Sequence, residues 1–186
     1  MSLHLLSIDF DGVLHRASDS VLVNFRPGTP PWQIELGLKA QKRFVWTSML
    51  SNLIATNSIA IVIHSTWRKQ YDDATLKHFL PPEIANKVIS LDGLIENRAT
   101  LSSDEYLFAA LEIIAPTSLV VLDDRREFFP VGGKVHTWIA HNQGDFVWCN
   151  PDLGVSDPHT LQCLTSSIKK FADCEPVNPS PINSPK

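Results

Sequence analysis

Cysteine is scarce in this chain: three residues, Cys149, Cys163 and Cys174, far apart and with no CxxC pair. That leaves no disulfide framework or redox dithiol, and points to reduced thiols. Basic charge is also not in excess, since 16 Lys and Arg face 20 Asp and Glu for a net charge of −4. The chain as a whole therefore exerts no pull toward nucleic acid or an anionic membrane, although its scattered cations leave room for a local basic groove. Apolar runs are short, and none approaches the ~20 residues of a membrane span. The opening "MSLHLLSIDFDG" has no basic leader, so a cytoplasmic location is expected. Two common nucleotide and hydrolase signatures, G-x-G-x-x-G and G-x-S-x-G, are missing.

What is present is an ordinary globular composition, 44% hydrophobic and 19% charged over 186 residues. That length suits one domain, expected over residues 1–174, with a proline-rich, disordered tail over 175–186. Apolar segments at 3–8, 59–64, 87–91, 118–124 and 134–140 read as strands. The spacing predicts helices over 42–57, 66–80, 102–115 and 158–172. Ser102 and Glu105 have capping-box spacing ahead of the third of these. Residues 15–41, with the proline-rich 26–32, read as an irregular insert. Strands alternating with helices imply an α/β fold, a Rossmann-like three-layer sandwich around a mostly parallel sheet.

Ligands in such sheets bind beyond the carboxyl ends of the strands. Three of the expected strands end in reactive side chains: Asp9 and Asp11, then Ser65 and Thr66, then Asp123 and Asp124. Two tempting alternatives fail. "DFDGVLHRASDS" has glycine fourth and Ser20 twelfth, where a calcium-binding EF-hand needs glycine sixth and glutamate twelfth. "VGGK" lacks the earlier glycine and the following Ser or Thr of a P-loop.

The remaining pattern resembles the haloacid dehalogenase-like (HAD) superfamily of phosphohydrolases. "LLSIDFDGVL" matches its first motif, D-x-D-G-x-[LV] after an apolar strand; "IAIVIHS" matches the second, and "LVVLDD" the fourth. "HSTWR" and "LDDR" are similar to small bacterial HAD domains and to the phosphatase parts of nucleic-acid end-repair proteins. The interval between the first two motifs looks too small for a separate cap domain, so the site would be open to bulky substrates.

The resemblance implies a Mg²⁺-dependent phosphatase that hydrolyses a phosphate monoester through a phospho-aspartate on Asp9. Asp11 would act as acid and then base. Asp9, the backbone carbonyl of Asp11 and Asp124 would hold the metal, with Asp123 behind Asp124 or in its place. Ser65 would donate to a phosphoryl oxygen, with Thr66 as the register-shifted alternative. The third motif needs a cation; Arg98 is the first choice, Lys87 and Lys134 the others, and Arg68 and Arg125 would add charge at the rim. His64 reads as a packing residue, and Trp67 as a possible substrate contact. The phosphorylated substrate is a small molecule, a nucleic-acid end or a phosphoprotein. A non-catalytic domain binding a phosphorylated ligand or a protein, and a phosphotransferase or nucleotidase variant, are the competing functions.

Overall fold

The computed structural model describes residues 2–19 and 29–172. Cys174, the expected tail over 175–186 and the first part of the 26–32 loop lie outside them. Four parallel strands form one sheet in the order β2-β1-β3-β4, where β1 is His4–Ile8, β2 Ile59–Ile63, β3 Ser118–Asp123 and β4 Gln143–Trp148. Around it lie α1 (Pro31–Ala40), α2 (Thr47–Ala55), α3 (Asp73–His78), α4 (Pro82–Ala85), α5 (Ser103–Ile114), α6 (Lys134–His141) and α7 (Pro158–Ala172).

Period-2 alternation sorts the strand side chains onto two faces. Leu6, Ile8, Ile61, Ile63, Val120 and Leu122 share one apolar cluster with Ile34 and Leu38 of α1, Leu50 and Ile54 of α2, and Leu164 of α7. Leu5, Val62, Leu119 and Val121 face the other way, against Tyr106, Leu107 and Leu111 of α5 and Val135 of α6. The sheet is thus covered on both sides, as near-continuous apolar strands require. α1 and α2 are built into the core of the first face and do not stand apart as a cap.

The central strand is the one carrying the two acids. Ile8 is in register with Ile63 on one side and Leu122 on the other. The exits are tied as well: the Asp9 amide donates to the Leu122 carbonyl at 3.0 Å and the His64 amide to the Ile8 carbonyl at 3.1 Å.

Four expectations need correction. Residues 134–140 are helical, not a strand. Their β-branched composition suggests a strand, but Val135, Trp138 and Ile139 have i, i+3, i+4 spacing, and the Asp104 carboxylate accepts from the Lys134 and Val135 amides at 2.9 and 3.0 Å. The fourth strand is instead "QGDFVW", whose glycine and aspartate sit on a half-buried sheet edge. Residues 87–91 make only a single bridge, Ile61 to Val88. The 15–41 segment is not irregular throughout, because Pro31 starts helix α1. The two long helices at 42–57 and 66–80 are shorter, α2 following a turn and α3 following a 3₁₀ turn at Thr66–Lys69. By contrast α5 begins at the expected capping box of Ser102 and Glu105.

Lys87 sits at the far end of β2 from the acids, where its Nζ donates to the Ile54 and Asn57 carbonyls at 2.6 and 2.7 Å. Those bonds close the carboxyl end of α2. Lys87→Met is expected to lower stability by about 1–2 kcal/mol, seen as a lower urea midpoint at unchanged slope.

Candidate active site

Asp9 leaves the central strand nearly buried, at 5% exposure. Phe10, between the two acids, drops into an aromatic cluster, edge-on to Phe44 at 5.0 Å and to Trp67 at 5.8 Å. That wedge fixes the backbone between Asp9 and Asp11 and leaves both carboxylates lining one pocket. The pocket holds about 190 Å³ and is bounded by Asp9, Asp11, Thr66, Asp124, Arg125 and Phe128.

Asp11 is tethered on both oxygens. Trp67 Nε1 donates to Oδ2 at 2.9 Å, and His15 Nε2 lies 2.9 Å from Oδ1. Arg43 adds a guanidinium 3.6 Å from the same Oδ1. Trp67 spends its indole N–H on this acid, so its tie to the site is through Asp11. His15 and Arg43 were not visible in the sequence. His15 falls in the stretch read as irregular, although its i+4 offset from Asp11 was a usable signal. Arg43 arrives through a turn in which Lys42 and Phe44 both have positive φ, 55° and 57°, and no residue pattern announces that.

Asp123 and Asp124 sit at the exit of β3. Asp123 is fully buried; His64 Nε2 lies 2.8 Å from its Oδ2, and the Arg125 amide donates to Oδ1 at 2.7 Å. The other ring nitrogen of His64 lies 2.7 Å from Ser7 Oγ. His64 is therefore a buried link beneath the pocket, hydrogen-bonded at both ring nitrogens. Asp124 is half-buried, and its Oδ1 is buried with no hydrogen-bond partner. Gly12 explains how Asp124 comes so close. It has φ +72°, and a Cβ there would stand 2.3 Å from Asp124 Oδ2.

These groups repel one another as anions. Burial raises the Asp9 carboxyl well above its usual range, and Asp123 and Asp11 push it further; hydrogen bonds from the Ser65 side chain and the Phe10 backbone oppose the rise. Burial and Asp123 likewise raise Asp124 to about 7. Oxygens of Asp9, Asp123 and Asp124 lie within 4.8 Å of one another. An all-carboxylate set with one unpartnered buried oxygen fits a hard divalent cation. Since both oxygens of Asp123 are already engaged, Asp9 and Asp124 have the freer ligand atoms.

Ser65 is fully buried and accepts from the Trp67 amide at 3.4 Å, capping the 3₁₀ turn while facing Asp9; Thr66 stands exposed at the pocket rim. Arg68, only 2% exposed, is held by the carbonyls of Arg98, Leu101 and Ser102 at 2.6, 2.7 and 3.0 Å and lies over the Tyr106 ring at 4.3 Å. Its charge still acts on Asp9. Arg98 is engaged elsewhere, by Asp92 and, at 3.0 Å, by Asp73. Arg125 lines the pocket but pairs with Glu127 at 2.9 Å. Lys134 lies at the start of α6 and lines a neighbouring cleft.

A family model described as the HAD domain in Swiss Army Knife RNA repair proteins matches residues 5–160, which include β1 from Leu5 onward, the other three strands and every acid of the pocket. No curated protein and no solved structure matches the chain.

Two outcomes test this site. Asp124 binds a proton more tightly in the folded chain than in the unfolded one, so its contribution to stability is full below pH 4 and is lost as pH rises through about 7. The metal-free protein is expected to show a falling Tm between pH 5 and 8, with added Mg²⁺ restoring it most at the alkaline end. Gly12→Ala forces Asp124 aside, and calorimetric titration of Mg²⁺ is expected to show at least about tenfold weaker binding.

Proposed function

The chain belongs to the family of HAD domains found in Swiss Army Knife RNA repair proteins, and on that footing we propose that it is a Mg²⁺-dependent phosphatase acting on a phosphate monoester at an RNA end. The family supports phosphohydrolase-type chemistry. The observation that carries the finer reading is the pair of unlike acids in one pocket. Asp9 is buried against Ser65, while Asp11, two residues on, is steered by Trp67 and His15.

Asp9 is the nucleophile in this reading. One of its carboxylate oxygens attacks phosphorus, the ester P–O bond breaks, and Asp11 gives its proton to the departing oxygen. Water then attacks the phospho-aspartate, Asp11 takes a proton from it, and inorganic phosphate leaves as Asp9 is regenerated. Ser65 hydrogen-bonds a phosphoryl oxygen, and Thr66 offers a second hydroxyl at the rim. A Mg²⁺ held by Asp9, Asp124 and the Asp11 carbonyl, with Asp123 behind, would screen the phosphoryl charge from the attacking carboxylate.

For the third-motif cation we favour Arg68 over Arg98, because its charge acts on Asp9 whereas Arg98 is bound by Asp73 and Asp92. The Arg68 guanidinium is buried beside the site and acts on Asp9 through its field. Burial lowers it only to about 10, so it stays protonated at neutral pH. Arg98, bound to Asp73 and Asp92, offers Arg68 its carbonyl and so has a positioning role.

The assay is phosphate release from p-nitrophenyl phosphate and from terminally phosphorylated oligonucleotides, with and without Mg²⁺. Asp9→Asn is expected to lower kcat by more than about a thousandfold, and Asp11→Asn by about 10²–10⁴-fold. Turnover independent of Mg²⁺, or undiminished in Asp9→Asn, would overturn the proposal.

A further inference from the structure

The acidic pocket, at about 190 Å³, has room for a phosphoryl group and little more. A leaving group must lie outside it. One wall of that pocket continues into a larger cleft of about 730 Å³, with Thr66 and Phe128 lining both. That volume falls within the range of about 300–1,000 Å³ typical of ligand clefts. The cleft runs between the 3₁₀ turn after Ser65, the start of α5 and the loop entering α6.

Its charges are unevenly committed. Asp104 gives both oxygens to the amides that open α6. Glu105 is held by the Ser102 amide and hydroxyl, and Glu127 by Arg125. The cations are not so occupied. Among the described residues Lys69 and Lys134 form no ion pair; Lys134 rests its Nζ over the Phe108 ring at 5.4 Å, and its charge reaches Glu105 without a direct contact. Both are exposed. Phe128 is half-buried where the two spaces join, with the Arg125 guanidinium 4.2 Å from its ring centre. An anionic chain bearing flat bases meets this combination: ammonium groups for backbone phosphates and an aromatic edge for a base.

We propose that this cleft is a leaving-group subsite for single-stranded oligonucleotide. The terminal phosphomonoester enters the acidic pocket past Thr66, the first base lies against Phe128, and Lys69 and Lys134 take the internal phosphodiesters. The proposal rests on the phosphatase reading for its substrate end, and it adds what that reading lacks: residues that distinguish an oligonucleotide from a mononucleotide.

The test compares kcat/KM for p-nitrophenyl phosphate with that for terminally phosphorylated mono-, di- and tetra-uridylates, in 5′- and 3′-phosphate forms and over a NaCl series. For the wild-type chain, kcat/KM is expected to rise at least about tenfold from mononucleotide to tetranucleotide for one of the two ends, and the gain to shrink as salt rises. In the Lys69→Ala/Lys134→Ala double variant the gain should fall to within about threefold, and Lys69→Arg/Lys134→Arg should restore it, since charge at the phosphate is what counts. Equal kcat/KM for mono- and tetranucleotide, a gain that survives the double alanine change, or a length gain seen with phosphopeptides instead would overturn the subsite. Should the wild type release phosphate from none of these esters, the phosphatase reading fails by itself. Fluorescence anisotropy with a labelled tetra-uridylate then still judges the cleft: about tenfold weaker binding in the double alanine variant supports it, and unchanged binding overturns it.

Discussion

Four carboxylates at one mouth is the constraint around which this molecule is organised. Asp9, Asp11, Asp123 and Asp124 come from two adjacent strand ends, and like charges that close raise each other's cost of ionisation. The structure answers each acid differently. Asp11 is drawn aside by Trp67, His15 and Arg43. Asp123 is sunk and bonded to His64 and the Arg125 amide. Asp9 receives Ser65 and a backbone amide, and feels the field of Arg68. Asp124 alone keeps a buried oxygen without a partner. Repulsion persists around Asp123, which raises both Asp9 and Asp124, and a cation held by those two acids would offset it.

Features remote from the pocket serve that distribution. The strand order puts β1 between β2 and β3, so Asp9 meets Ser65 on one side and Asp123 on the other. Ser7 faces the second apolar layer, yet its hydroxyl orients His64, which in turn holds Asp123. On the opposite face Phe44 and Trp67 pack against Phe10, Phe79 packs against both of them, and the cluster gives the Asp11 tether its rigidity. The positive φ at Gly12 lets the chain turn away while Asp124 fills the space a side chain would need. Identical residue types acquire different properties through such surroundings.

Much of this was legible in the residues. Apolar runs closed by Asp, Ser or paired Asp mark β1, β2 and β3, because a strand buried on both faces must be apolar until it reaches the rim. The capping box at Ser102 and Glu105 marks the start of α5 for an equally local reason. Where tertiary contacts decide, the residues were silent or misleading. Residues 134–140 carry strand-forming side chains, but amides capped by Asp104 from another helix make them α6. β4 carries a glycine and an aspartate that only its edge position tolerates. Arg98, the first choice, and Lys87 both look available as cations in the sequence, and only the fold commits one to Asp73 and Asp92 and the other to the end of α2. Arg43 reaches Asp11 through a turn that no periodicity encodes, whereas His15 stands only four residues beyond it.

The net charge illustrates the same limit in the opposite direction. An excess of four formal negative charges speaks against polyanion binding only if acids and bases are equally free to meet a ligand. They are not. Asp73 and Asp92 hold Arg98, Asp72 caps α3, Asp104 caps α6, and Glu105 closes its own capping box. Four further acids crowd the pocket, where a divalent cation would offset part of their charge. Many of the described acids are thus engaged in building the frame or the pocket. The field met by a phosphorylated chain is therefore set by the few side chains the frame leaves unused, and at the cleft beside the pocket those include two lysines.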